Sequence, residues 1–510
     1  MPPQNSPGIL DNDDLDHAAN LLNDERENPA DSLLFQPSWK ASKTSDDDPS
    51  SGFANIKSWL WPERTSRPKN LHKTAYLDGL RGVAAFLVYW HHHTLWVNTE
   101  NRTNLNQAFE NAFGYQDKYY FAALPGIRLF FSGGHFAVAT FFVLSGYVLS
   151  IKAWKLIESD EVAALAEHLA SALFRRWLRL YLPIIGIVII YGTLWHFPGI
   201  WVEHAERQRN WFDEMWWLYC EFKNFSFVFK EGGVPWLTYN PHVWSIPVEF
   251  KGSVVVFATL LSLSRSTLTA RLLCQIALMF YFMYIADGWY CAAFIGGMFL
   301  CHLDLLASQD RLPRIITRFK PYKTAIFYHM LVIAIYLGGI PCEDTEVSQL
   351  VKNRGWYYLS FLKPQAVFDY KWFYLFWAAM FLVTAVTNIG WLKRFFEMRF
   401  CQYLGRICYG LYLVHGPVIW LLGDRLYAAV GYYAQSHVDN IPHWVNRFPL
   451  PRVGPLGLQV SFLLPNIILL PLTLYAADVV TRVFDKPSAN LASRLYKMTL
   501  PASPAKQSRA

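Results

Sequence analysis

Residues 75–97 read AYLDGLRGVAAFLVYWHHHTLWV, and this stretch decides the fold class. It is mostly apolar over about 20 residues, the length a helix needs to cross a hydrocarbon core. Yet it carries Asp78, Arg81 and the run His91-His92-His93. An ionisable residue within a span costs a few kcal/mol or more, so each one is a functional hypothesis. On a helix advancing about 100° per residue, the step from Arg81 to His92 makes three turns plus roughly 20° and rises about 16 Å. Arg81 and His92 therefore share one stripe, with Asp78 a turn below, while His91 and His93 point about 100° to either side. A plainer account also stands: an Asp78–Arg81 ion pair at the cytosolic interface, and histidines that mark the lumenal end of the helix.

Nine further apolar stretches follow, at about 134–151, 180–197, 246–264, 272–286, 288–303, 324–340, 372–390, 403–423 and 457–480. The expected fold is all-α, a polytopic membrane protein with about ten transmembrane helices. Composition agrees: of 510 residues 53% are hydrophobic and only 17% charged, well short of the quarter usual in soluble domains. The first 50 residues hold 11 acidic against 3 basic side chains, and the rest of the chain 43 basic against 28 acidic. Residues 1–73 are thus expected to be a disordered acidic cytosolic tail, residues 74–485 the membrane domain, and 486–510 a polar cytosolic tail. The opening residues show no signal-peptide pattern. A soluble globule, a secreted disulfide scaffold and a fibrous protein are excluded. No nucleic acid is expected as a partner, because the basic residues are spread among apolar stretches.

Short loops rich in Lys and Arg follow every second stretch, including Arg175, Arg176 and Arg179, then Arg311, Arg314 and Arg318. Such loops belong in the cytosol, which puts both termini there, in the endomembrane system or the plasma membrane. The long aromatic loops then face the lumen. Both Asn-x-Ser/Thr sequons, at Asn101 and Asn224, fall on that side as candidate glycosylation sites. Of seven cysteines only Cys220 and Cys342 are lumenal. They either close a disulfide between two loops or remain separate thiols.

Three other clusters carry chemistry. Arg176 and Arg179 lie one helical turn apart, a fork suited to phosphate, or else an ordinary positive flank. In His242-Val-Trp244-Ser245-Ile246-Pro247-Val248-Glu249, Pro247 fits a first helical turn and leaves Glu249 just inside the membrane, where it is paired or protonated unless headgroup water reaches it. Ser145-Gly146 allows helices to approach closely.

In order along the chain, Leu77-Asp78-Gly79-Leu80-Arg81-Gly82 with His92, Phe141-Phe142-Val143-Leu144-Ser145-Gly146-Tyr147, Arg176-x-x-Arg179, Trp244-Ser245-Ile246-Pro247-Val248-Glu249 and Leu404-Gly405-Arg406-x-x-Tyr409-x-Leu-Tyr412-Leu-x-His415 resemble the acyltransferase 3 family of integral-membrane O-acyltransferases, in its filamentous-fungal form. The resemblance covers roughly residues 74–485. It implies transfer of an acetyl or other short acyl group from acyl-CoA to a hydroxyl, with His92 as the essential histidine, Arg81 as its partner and Arg176 and Arg179 linked to the acyl-CoA. Glu249 is placed with the catalytic group, and Ser145 and Gly146 with the donor site. Two departures matter: His92 sits within a triple histidine, and Phe250 stands where many bacterial relatives carry a second acidic residue. Acyl-CoA is a co-substrate, and no resident metal or cofactor is expected.

Histidine suits proton removal from a hydroxyl near neutral pH, and the roughly 16 Å from Arg81 to His92 is comparable to a pantetheine arm. Direct transfer and an acyl-His92 relay both remain open. The acceptor reads as a small-molecule alcohol, such as a secondary metabolite, because Trp211, Trp216, Trp217 and Trp236 enrich the lumenal loops without an evident acidic cluster. A cell-wall or glycolipid sugar is the alternative acceptor. A proton-coupled secondary transporter is the alternative of another class, and it calls for a two-fold hydropathy repeat that the chain does not convincingly show.

Overall fold

In the computed structural model the described residues are 71–501, apart from 112, 204, 230–234 and 454–457. The expected acidic tail lies outside them but for its last three residues. The described chain is helical and contains no strand. The main helices are α1 (Ala75–Asn98), α2 (Gly134–Glu158), α3 (Val162–His196), α4 (Trp211–Phe225), α5 (Ser245–Leu263), α6 (Leu268–Tyr284), α7 (Trp289–Ser308), α8 (Lys323–Gly338), α9 (Tyr370–Asn388), α10 (Arg399–Val418), α11 (Val460–Val480) and α12 (Lys486–Thr499).

Every expected span coincides with a helix, but among the described residues seven are long and apolar enough to cross a membrane: α2, α3, α5, α7, α9, α10 and α11 with their continuations. Helices α6 and α8 have 17 and 16 residues and fall short in length. Helix α1 has the length, 24 residues, but the polar groups on its stripe lower its hydropathy.

Helix ends differ from the expected ones where charge interrupts the apolar pattern. Helix α3 starts at Val162 instead of residue 180, so the Phe174–Arg179 segment lies within it. The segment expected as a polar tail from residue 486 is helical to Thr499, joined to α11 by one π-helical turn over Thr481–Asp485. It packs on α3, with Tyr496 against Phe174 at 5.4 Å between ring centroids. A second π turn, Ile419–Gly423, carries α10 on to Val430. Each π turn holds one more residue than an α turn would, and such bulges recur near functional sites.

Two apolar cores result. One is built mainly from α2, α7 and α9, the other from α1, α3, α10 and α11. Each rests on a helix pair whose backbones touch. On α2 and α7, a Cβ at Gly146 would run into the Phe294 carbonyl, and one at Gly297 into the Val143 carbonyl. On α1 and α10, a Cβ at Gly82 would meet the backbone of Leu404 and Gly405, and one at Gly405 the Asp78 carbonyl. Reciprocal glycines let backbones approach within a membrane, where dispersion replaces hydrophobic burial as the packing force. Gln402 secures the second crossing by donating to the Ala75 carbonyl at 2.7 Å.

Candidate functional site

The crossing of α1 and α10 sets which way the three histidines face. His93 turns into the second core, its Nδ1 2.7 Å from the Tyr427 hydroxyl, which Asn466 holds from the other side at 3.0 Å. Because Asn466 donates to Tyr427, the tyrosine proton goes to His93 Nδ1, and His93 Nε2 is buried with no hydrogen-bond partner among the described residues. His91 turns the opposite way, its ring against Gly134 at the start of α2 and 5.2 Å from the His135 ring. Between them His92 meets two histidines from elsewhere in the chain. His242 lies 4.0 Å away and His415 5.1 Å away, ring centroid to centroid.

His242 precedes α5 and His415 is on α10. Ring nitrogens of all three lie within 4.8 Å of one another. His415 Nδ1 is 3.2 Å from the Leu411 carbonyl, which accepts, so Nδ1 carries the proton and Nε2 a lone pair. That Nε2 is buried with no hydrogen-bond partner among the described residues. His242 is held through its own backbone: Ser245 donates to the Tyr412 hydroxyl at 2.6 Å, and Tyr412 donates to the His242 carbonyl.

Tyr412 also lines a narrow cavity of about 40 Å³, bordered by Arg81, Phe141, Phe142, Ser145, Ser245, Ile246, Glu249 and Tyr409 among others. The Tyr412 ring lies 5.7 Å from His415, so one side chain connects cavity and imidazoles. Arg81 and His92 thus stand at two levels of one column, and Arg81 also makes the local pair with Asp78, at 3.6 Å. Both accounts of that stripe describe the same residue.

Arg176 and Glu249 are not where the flank and headgroup readings put them. They meet each other: Arg176 donates to the Glu249 carboxylate at 2.5 Å and to Ser253 Oγ at 2.8 Å, with Arg176 only 2% exposed. Ser145 adds a hydrogen bond to Glu249. A buried carboxylate needs a partner, and here the arginine supplies the charge. The Arg176–Arg179 fork is therefore split, one guanidinium committed to Glu249 and the other buried near Asp485 at the π turn. Gly146 faces α7 and does not border the cavity, so of the Ser145-Gly146 pair only the serine reaches it.

The lumenal expectations change as well. Cys220 and Cys342 are both free thiols. Cys342 is buried in the first core and donates to the Ile340 carbonyl at 3.1 Å, whereas Cys220 is on α4, which packs on α3 at the second. Asn101 and Asn224 are exposed, at the ends of α1 and α4. Trp216 and Trp236 are largely exposed, while Trp217 lines a recess with Trp195, Glu206, Glu214 and Glu221. The acidic cluster absent from the linear sequence is thus assembled by the fold.

Among the described residues three donor groups come within metal-binding reach: His92, His242 and His415; His91, Glu110 and His135; and Glu203, Asp424 and His437. The last already holds a cation, the Arg102 guanidinium, at 2.6 Å from Glu203 and 3.0 Å from Asp424.

Three imidazoles thus converge beside a cavity with polar side chains at its border, inside an apolar helical bundle. The chain belongs to the acyltransferase 3 family, whose model, an acyltransferase domain, matches residues 74–482. It is 31% identical to the O-acetyltransferase PaAT-1 of Phomopsis amygdali, over 70% of this chain and 74% of that protein. It is 22% identical to the acyltransferase clz18 of Cochliobolus lunatus and 21% to the acyltransferase R4 of Phoma sp. (strain ATCC 20986 / MF5453), covering 84% and 85% of this chain and 97% of each relative. No solved structure matches. The protein is an O-acyltransferase.

Proposed function

We propose that this enzyme moves an acetyl or other short acyl group from acyl-CoA to the hydroxyl of a small-molecule acceptor, through a ten-helix membrane domain with both termini in the cytosol. The observation that carries the reading is the convergence of His92, His242 and His415 beside a cavity bordered by Arg81, Ser145 and Tyr412. The acyl-CoA phosphates bind at the arginine-rich end, where Arg81 and Arg179 supply positive charge and Arg176 holds Glu249. The pantetheine arm follows the column toward the imidazoles. His92 takes the acceptor proton as the oxygen attacks the thioester carbonyl. The C–S bond then breaks, and the proton passes to the departing CoA thiolate. Ser145, Ser245 and Tyr412 carry hydroxyls that border the cavity, and one of them would exchange its present acceptor for the developing oxyanion.

The acceptor is a secondary-metabolite alcohol on the aromatic character of the loops. The recess that joins Trp195 and Trp217 to three glutamates favours a second reading, a sugar, because aromatic faces stack on sugars and carboxylates accept their hydroxyls. Metabolite profiling of a deletion strain separates the two. The mechanism is tested with purified protein, acetyl-CoA and the acceptor so found: His92→Ala binds acetyl-CoA normally and transfers nothing, and Arg179→Ala binds it at least ten-fold more weakly. Full transfer by His92→Ala overturns the assignment.

A further inference from the structure

His91 is a different matter from its neighbour, and the cluster it joins has no part in the reaction proposed above. We infer that His91, Glu110 and His135 form a site for a divalent transition-metal ion, Zn²⁺ by its donor chemistry, on the lumenal side of the bundle. One potential ligand atom from each lies within 4.8 Å of the others. The three come from separate elements: α1, the short helix Asn106–Glu110 and the first turn of α2.

Each donor is preset. The His91 ring is only 3% exposed and hydrogen-bonds the Ser132 backbone, which leaves Nδ1 buried without a partner among the described residues. His135 Nδ1 is likewise buried and unpartnered among the described residues. Two buried ring nitrogens without partners cost free energy, and a metal ion bound by their lone pairs would remove that cost. Glu110 is fixed from two sides through its carbonyl, which accepts from Arg128 at 2.9 Å and from the Cys342 N–H at 2.8 Å. Its carboxyl group faces that of Glu343, and the two share a hydrogen bond. A proton is the smallest cation able to join two carboxylates, and a metal ion would replace it. Gly134 completes the setting, since a Cβ there would occupy the position of the His91 ring.

The surrounding charge permits a cation. Glu110, Glu343 and Asp369 stand against Arg128 and Lys371, and Lys371 is drawn to Asp369 at 2.5 Å. Two imidazoles and one carboxylate, with a fourth position open, match zinc and exclude the hard ions Ca²⁺ and Mg²⁺, which prefer oxygen. Bound there, the ion would tie the first lumenal loop to α1 one residue before His92, whose ring lies 5.1 Å from that of His91.

The test is metal stoichiometry, which does not depend on acyl transfer. Full-length protein in detergent is stripped with chelator, dialysed against micromolar Zn²⁺, washed and analysed by elemental mass spectrometry; Co²⁺ in place of Zn²⁺ reports geometry through its visible absorption. The expected result is one ion per chain and a tetrahedral Co²⁺ spectrum. Glu110→Gln, which keeps shape, weakens Zn²⁺ binding by more than the 10–100-fold cost of losing an outer-shell partner. His91→Ala with His135→Ala abolishes binding while acetyl-CoA binding, as a check on folding, persists. If that double variant does not fold, Glu110→Gln alone decides. Less than a tenth of an ion per chain in the wild type overturns the site. So does an ion unaffected by Glu110→Gln or released instead by His242→Ala.

Discussion

The two ends of the central column are built on opposite electrostatic plans. At the lower end Arg176, Glu249, Ser253 and Ser145 are joined by hydrogen bonds and an ion pair, and Arg81 leans on Asp78. At the upper end three imidazoles crowd together, ring against ring. Paired charges hold geometry and are chemically quiet. An imidazole nitrogen that carries a lone pair can take a proton. The contrast predicts that lesions at the two ends will differ in kind: loss of structure below, loss of turnover above.

The largest effect tests the upper end. His92→Ala should lower acyl transfer by about 10²–10⁴-fold, the range for a general base, with thermal stability nearly unchanged. His93→Ala should do the reverse: it keeps measurable transfer and loses stability, because it strands the buried Tyr427–Asn466 pair. At the lower end, Arg176→Ala should destabilise the detergent-solubilised protein by about 3–5 kcal/mol, since Glu249 would be left buried and unpaired. A thermal melt that does not move would break the contrast. Tyr412→Phe lies between the ends and removes the bond to the His242 carbonyl. About 1 kcal/mol in the barrier, or roughly five-fold in rate, is expected, with substrate binding retained. The smallest effect is none at all. Reductant should leave the melting temperature unchanged, and alkylation in denaturant without reductant should label both Cys220 and Cys342.

The His92 stripe was legible because α-helical periodicity is a local property: 3.6 residues per turn fixes which side chains share a face. Pro247 in the first turn of α5 was legible for the same reason. What stayed hidden needed two segments at once. His242 and His415 stand in the quoted motifs, but nothing local draws them to a histidine at position 92. The Arg176–Glu249 contact joins residues 73 positions apart. Without that contact the linear reading left Arg176 as half of a phosphate fork or as part of a positive flank. The start of α3 was missed because hydropathy stops at a charged residue and a helix does not. The charge pattern assigned Cys220 and Cys342 to one side of the membrane, but they pack at different cores, and such a pattern carries no lateral distance.

Gly82 lies ten residues before His92, and Gly405 ten residues before His415. The helices touch at those glycines, so both imidazoles ride at the tips of equal arms, about 15 Å from a common fulcrum. A tilt of one degree at the crossing moves a tip by about 0.3 Å, and about four degrees separates the rings by roughly 1 Å, enough to cost some 100-fold in a reaction that depends on placement. A single methyl group at Gly405, about 15 Å from the imidazoles, would therefore act on the chemistry as a wedge at the hinge of a pair of tongs. The spacing that sets the jaws is recorded in the count of residues between glycine and histidine, and an insertion in either arm would turn one jaw aside by about 100°.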